Sequence, residues 1–431
     1  MPICRPDHLS WLCNKVIELK PQSILDIGFG FGSNGMLFRA YTDVWRGDYF
    51  GWKTQIDGVE IYDRYITDIQ RAIYSNIYTG NILDLVDDLG YYDMIYMGDV
   101  LEHFDKEDGK ILFEKLKKKA ATLIIVTPRK VLAQGDVYGN KYETHRSQWE
   151  DKDFEGCFVG QFGNSMVIVY ERPSIYYCEG MNFYGVRARR YFKFNSYNIQ
   201  AKCLFLGLYF DRDYEVFKAH QGERFVFWNG SDVSRLLGNP EWIDIIKQTP
   251  AVHACHNIAL QEELASVGVS AVVRPIFFSD IKQYEVSFYP QDKLQLYINA
   301  HPQRENEYGI NKVLSVSDKV PDVTFHIYGV DGNTRENVVY HGQIEELQMD
   351  REIKQYQGVL RLNKHDGLSQ LVIKAGLLGQ YIIGTQKLPG VMTVKDEDDI
   401  LNCIEKIKAQ KEPNLEFRNY YLDKLNNFDW L

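Results

Sequence analysis

The sequence predicts an α/β protein made of several units, each built round a mainly parallel sheet. Short apolar runs alternate with amphipathic stretches along nearly the whole chain, which is the pattern of βαβ units. A length of 431 residues exceeds what one hydrophobic core fills, about 250–300 residues, so two or three domains are expected. Apolar residues make up 45% and charged residues 25%, a composition that folds rather than stays disordered.

The elements follow in order. Strands are expected at 23–27, 56–61, 76–79, 94–97 and 122–126, separated by helical patterns such as 109–120 with its Lys-rich outer face. Two alternating runs, 156–162 and 165–171, flank Gly163-Asn164, a turn signal. They read as an antiparallel hairpin that closes a seven-stranded sheet over residues 1–172. Arg172-Pro173 interrupts the pattern, and 173–199 is aromatic and basic without a clean period, so it reads as a linker. A second series covers 200–285, with strands at 202–209, 224–228, 251–253 and 271–275. A third covers 286–431, with strands at 294–299, 324–328, 338–340 and 381–384.

Charge and cysteine content narrow the function. Forty-nine Lys and Arg against 59 Asp and Glu give a net charge of −10, opposite in sign to a duplex-binding protein. Apolar runs such as 203–210 fall far short of the roughly 20 residues of a membrane helix. The opening MPICRPDHLSWLCNK lacks the charged-then-apolar order of a secretory signal. Seven cysteines, an odd count without a C-x-x-C pair, point to reduced thiols and a cytoplasmic setting, with neither a disulfide framework nor a zinc site.

Ile24-Leu-Asp26-Ile-Gly28-Phe-Gly30-Phe-Gly32-Ser-Asn-Gly35 follows a strand and opens a helix, where glycines allow close backbone approach to a ligand. Gly30-x-Gly32-x-x-Gly35 also fits a dinucleotide fingerprint. Asp26 argues against that, because a carboxylate there suits a cationic amino-acid group and repels a pyrophosphate. Glu60 ends the next strand, placed to accept ribose hydroxyls, and the fourth strand runs into Asp99-Val-Leu-Glu102-His103.

Together these residues resemble the class I S-adenosylmethionine (SAM)-dependent methyltransferases, over about 1–172. The resemblance implies that Asp26, Gly28, Gly30 and Gly32 surround the methionine moiety and Glu60 the ribose. Asn81 and Ile82 would lie beside the adenine, with Asn81 replacing the commoner Asp, and Asp99 would line the pocket floor. Methyl transfer needs an aligned nucleophile and often a base. Candidate bases are Glu102, His103 and His145, and each histidine has an equal claim to a packing role. Asp99-x-x-Glu102-His103 with His145 is also similar to the metal-binding set of small-RNA 3′-end methyltransferases. Asp99 replaces that family's first Glu, and the expectation is a metal-free site.

From about residue 200 the chain resembles GT-B-type glycosyltransferases. The carrying residues are 323–329, 338–342, His365-Asp366-Gly367-Leu-Ser369 through Lys374-Ala375, and 379–385. The resemblance implies two Rossmann-like half-domains, the first shortened and lacking its opening strands. It also implies a sugar-nucleotide donor at Gly367, Ser369 and Arg304, with Asp366 catalytic. Lys374 stands where that family carries a second acidic residue, and the expectation is that it binds phosphate instead. The reading is a fused SAM-dependent O-methyltransferase and glycosyltransferase acting on a glycan or glycoconjugate. Two alternatives are a nucleic-acid modifier, which the acidic balance disfavours, and a methyltransferase with a non-catalytic sugar- or partner-binding second half.

Overall fold

The computed structural model describes residues 5–49 and 51–431. Six cysteines are free thiols, and Cys4 lies outside the described residues. Among the described residues no helix is long and apolar enough to cross a membrane. The chain forms two compact units, one running through Pro173 with Lys193–Asn195 added, the other comprising Ser174–Phe192 and Ser196–Leu431.

The first unit is a seven-stranded sheet of β1 (Ser23–Ile27), β2 (Gln55–Glu60), β3 (Asn76–Thr79), β4 (Tyr92–Gly98), β5 (Ala120–Pro128), β6 (Phe158–Phe162) and β7 (Ser165–Glu171). Its order is β3-β2-β1-β4-β5-β7-β6. The first five strands pair in parallel, and β7 runs antiparallel to both β5 and β6. Gly163, at φ 56°, makes the expected turn of that hairpin. Apolar residues alternate in side along each strand, so both faces are covered. Leu25 and Ile27 enter one core with Ile95, Leu112 and Ile125, while Ile24 enters the other with Phe38, Tyr74 and Tyr96. Strand order reverses between β1 and β4, and the crevice outside the carboxyl ends of such strands is where open α/β sheets bind ligands.

Two six-stranded sheets follow, in the second unit but for Asn195. One contains β8 (Ser174–Tyr176), β9 (Asn195–Ser196), β10 (Cys203–Leu206), β11 (Arg224–Trp228), β12 (Val252–Cys255) and β13 (Ala271–Val273), in the order β13-β12-β11-β10-β8-β9. The other contains β14 (Leu294–Asn299), β15 (Val323–Tyr328), β16 (Val338–Gly342), β17 (Gly358–Arg361), β18 (Tyr381–Gly384) and β19 (Val391–Thr393), in the order β16-β15-β14-β17-β18-β19. The chain end returns to the first of these sheets. Asn426 donates its N–H to Pro275 O and accepts from the Phe277 N–H, and Asp429 pairs with Arg274.

The linker expected at 173–199 is corrected. Ser174–Tyr176 pairs in parallel with β10, and Asn182–Phe192 is a helix. Ser174–Tyr176 and Asn195–Ser196 are strands of the sheet whose opening strands the sequence did not show.

Candidate functional site

A cavity of about 240 Å³ opens at the reversal point of the first sheet, lined among others by Gly28, Gly30, Glu60, Asn81, Ile82, Asp99 and His103. The β1 carboxyl end builds its wall. Gly28, Gly30 and Gly32 have φ of 68°, 53° and 80°, a region that side chains disfavour. A Cβ on Gly28 would overlap Val100 Cγ2, so the backbone itself forms the surface. Glu60 fastens this loop: Oε2 accepts from the Gly30 N–H at 3.0 Å and Oε1 from the Tyr62 N–H at 2.9 Å. Burial raises its carboxyl above the usual range, and those two N–H groups partly offset the rise. Asn81 lines the cavity while its Oδ1 caps the helix Ile82–Leu85 by accepting from the Leu83 N–H. Asp99, at φ 50°, follows β4 and is fixed by its N–H donating to Val126 O.

Two expected cofactor residues stand elsewhere. Asp26 shares a strand face with Ile24, 1% exposed, and accepts from the Tyr74 hydroxyl at 2.6 Å. Burial pushes its carboxyl up to about 7, and it stands behind the cavity lining, not in it. Gly32 likewise is not in the lining and instead caps the helix Ser33–Tyr41, its Cα facing Ile73 and Gln70.

The structure brings Glu102, His103 and His145 together. One donor atom from each lies within 4.8 Å of the others, and the two imidazole rings are 4.9 Å apart. The loop after β5 delivers His145, since the Arg146 and Ser147 N–H groups both donate to Glu102 O. His103 Nδ1 meets Thr144 O at 3.1 Å and His145 Nδ1 meets Leu132 O at 2.6 Å. A carbonyl only accepts, so each Nδ1 carries a proton and Nε2 is the ring nitrogen left outside that contact. Burial lowers the His103 pKa, with His145 adding to the effect, and keeps the ring neutral at neutral pH. Glu102 is fully buried, which with the nearby Asp99 charge raises its pKa well above the usual range. Its Oε2 accepts from Thr127 Oγ1, while Oε1 has no hydrogen-bond partner. Glu102 is therefore sealed from an acceptor, and this corrects its place among the bases. The same loop and the start of the helix Lys106–Lys119 contribute Asp105, Asp108, Asn140, Tyr142, Glu143 and Arg146 to the lining. Sequence reasoning missed these six, although Tyr142, Glu143 and Arg146 all lie within three residues of His145.

In the second unit the expected donor residues are engaged with other groups of the protein. Lys374 is buried and donates to Glu346 and Asp350, both at 2.6 Å. Arg187 also pairs with Glu346, and Tyr284 donates to Asp350. This corrects the assignment of Lys374 as a phosphate ligand, because its ammonium is already committed to two carboxylates and Asp350 would lose its cation. Asp366 accepts from Arg361, Arg304 pairs with Glu307 on the surface, and Ser369 caps the helix Gln370–Leu377. Gly367 packs directly on Asn229, and its carbonyl accepts from Asn257 Nδ2 at 3.2 Å. The space left beside Asp366, Gly367 and Ser369 is about 20 Å³, enough for one water.

No family model matches the chain, and no curated protein matches it. Solved structures align with a little over a third of it. The methyltransferase domain of bacterial CtHen1 is 20% identical over 38% of this chain and 98% of its own, with a TM-score of 0.28. An O-methyltransferase family protein from Burkholderia thailandensis is 13% identical over 39% of this chain and 57% of its own, with a TM-score of 0.29. Magnesium protoporphyrin IX methyltransferase from Synechocystis, with bound SAH, is 14% identical over 37% and 80%, with a TM-score of 0.27.

Proposed function

We propose that the first unit transfers a methyl group from SAM to a hydroxyl oxygen of a glycan. The observation that carries this reading is a single cavity in which a bare glycine backbone, the Glu60 carboxylate and the His103 imidazole meet. The glycine turn, whose backbone lines the cavity without side chains at Gly28 and Gly30, fits a small cofactor held close to the main chain. Gly28, Gly30 and Glu60 would hold it, with Asn81 and Ile82 beside its base. When bound, SAM supplies an electrophilic methyl on a sulfonium. His103 Nε2, held by the Nδ1 contact to Thr144 O, takes the acceptor's hydroxyl proton as the oxygen becomes the nucleophile. His145 supports that ring orientation from 4.9 Å. Formation of S-adenosylhomocysteine (SAH) by the full chain tests the reading, and His103→Ala should slow it by about 10²–10⁴-fold.

One observation favours a second reading, contrary to the metal-free expectation. Glu102 Oε1 is a buried oxygen without a partner, and the adjacent His103 and His145 each turn Nδ1 to a backbone carbonyl, which leaves Nε2 as the nitrogen available to a ligand. That donor set fits a divalent cation, including the outer hydrogen bonds that orient ligating histidines. Glu102, His103 and His145 would then hold the ion, which supplies a Lewis acid for the acceptor hydroxyl. Activity that survives EDTA keeps the first reading. Activity lost with EDTA and restored by Mn²⁺ or Mg²⁺ establishes the second.

For the second unit we infer a binding role without sugar transfer, the alternative that the engaged Lys374, Asp366 and Gly367 support. UDP-, GDP- and dTDP-sugars at millimolar concentration should leave its melting transition unmoved, because a ligand that binds the native state raises it. A clear upward shift would restore a sugar-nucleotide donor and the fused glycosyltransferase.

A further inference from the structure

We propose that Tyr65 is a positioning residue: it ties a gate, residues 132–146, to the cofactor wall, so that a filled cofactor site aligns His103. The proposal rests on the methyl-transfer reading of the first unit's cavity and names a regulation of that same site.

The gate is held by polar contacts more than by a core. Its large apolar side chains Leu132, Tyr138 and Tyr142 are 60%, 71% and 42% exposed. A Cβ on Gly135 or on Gly139 would meet nothing within 4 Å, so the outer run faces solvent. Segments with little buried apolar surface open at low free energy. Both ends, by contrast, are fixed. Gln148 clamps the stem, donating to Arg129 O at 2.7 Å and accepting from the Val131 N–H at 3.0 Å. Beyond the gate the Ser147 N–H donates to Glu102 O, and Trp149 is buried. Residues 132–146 are a strap hung between two fixed points.

A continuous path joins this strap to the cofactor wall. Glu60 accepts from the Gly30 N–H on one oxygen and from the Tyr62 N–H on the other. The Tyr62 and Tyr65 rings meet at 4.9 Å, and Phe31 of the glycine loop packs on Tyr65 at 5.2 Å. From there the Tyr65 hydroxyl donates to Glu143 Oε1 at 3.2 Å, and the Tyr62 hydroxyl reaches Tyr138 O at 3.5 Å. Tyr65, Tyr142 and Glu143 line the same cavity as Gly28, Gly30 and Glu60. A ligand seated there touches both walls and favours the shut position over open ones.

The far end of the strap reaches the base. Thr144 O takes the His103 Nδ1–H at 3.1 Å, and the His145 ring stands 4.9 Å from that of His103. Lifting the strap removes the carbonyl that fixes the His103 ring, and Nε2 loses its direction. Filling the cofactor site therefore raises the population in which the base is aligned, so cofactor binding precedes productive binding of the acceptor.

The test compares the full chain with Tyr65→Phe, which keeps the ring and removes the hydroxyl. Calorimetry first gives the SAH affinity of each, and amide hydrogen exchange is then followed in the free and SAH-saturated proteins. In the parent, SAH should slow exchange over 132–146 by about tenfold or more. In saturated Tyr65→Phe that protection should be lost while 28–32 stays protected. Exchange in β1, β4 and β5 should be the same in the two free proteins, which separates positioning from loss of fold. Isotope-labelled histidine supplies a second readout. The His103 Nδ1–H resonance, identified by its loss in His103→Gln, should be sharp in the SAH-bound parent and broadened in SAH-bound Tyr65→Phe. SAH bound without protection of 132–146, parent-like protection in Tyr65→Phe, or an equally sharp resonance in that variant would each overturn the gate. Failure of the parent to bind SAH would instead remove the methyl-transfer reading, and the gate with it.

Discussion

Gly28→Ala is the substitution whose effect can be worked most directly from the structure. Gly28 sits at φ 68°, where an L side chain costs about 1–2 kcal/mol. The new Cβ would also overlap Val100 Cγ2, with Val100 Cβ and Cγ1 at 3.5 and 3.6 Å behind it. Val is stiff at χ1, so the strain passes to the backbone at 99–100, and overpacking of this kind costs about 1–3 kcal/mol. The sum is about 2–5 kcal/mol, and each kcal/mol lowers the melting temperature of a domain this size by about 2–4 °C. Val100→Ala in the same chain removes the overlap and leaves the φ cost, so the double variant should recover about half of the loss. Denaturant unfolding and SAH calorimetry on the parent, both single variants and the double variant complete the cycle. Wild-type stability and SAH affinity in Gly28→Ala would refute the claim that bare backbone forms this wall.

Two predictions concern the second unit. Lys374→Ala leaves Glu346 and Asp350 with Arg187 as the remaining cation on Glu346, and should cost about 3–5 kcal/mol. Hydrogen exchange should place that loss in the second unit, with SAH binding unchanged; an unaltered exchange pattern would remove the structural role. Acid should destabilise the same unit. Burial pushes His253, His256 and His326 down to about 4, 3 and 4, below the unfolded value of 6.5. The unfolded chain then binds more protons, so stability present above pH 6.5 is lost as pH falls toward 4, by up to about 1.4 kcal/mol per pH unit per histidine. Asp232, raised by burial to about 6, opposes this below pH 6 but is one group against three. His256→Gln should flatten the dependence by one proton in urea midpoints taken between pH 7 and 4.5, and an unchanged slope would contradict the argument.

The first sheet was readable because its signals are local. A β-rich run, a glycine turn and an amphipathic helix each declare themselves within a dozen residues, and Gly163-Asn164 marks the hairpin. What escaped was decided by packing. The helix Asn182–Phe192 buries Gly185 and Ala188, small residues that carry no hydrophobic period, so it read as a linker. β17 begins with Gly358 and ends with Arg361, which leaves two apolar side chains, too few for an apolar run to stand out. Asp26 lies at the right spacing from the glycines, yet strand alternation turns it toward Tyr74. Lys374 was read against a family position, whereas its partners Glu346 and Asp350 sit four residues apart on one helix face. Four of the six missed cavity residues, Asn140, Tyr142, Glu143 and Arg146, lie on a loop without periodicity, whose place is set by long-range bonds such as those to Glu102 O.

Calorimetric titration of the full chain with SAH, on the parent and on Glu60→Ala, tests the central claim most directly. Glu60 holds the Gly30 and Tyr62 N–H groups and lines the cavity, so its removal loosens the cradle and takes away an acceptor facing the ligand. The account predicts one site per chain in the parent and affinity weaker by about 1–3 kcal/mol in the variant. No binding to the parent, or equal affinity in the two proteins, would contradict it.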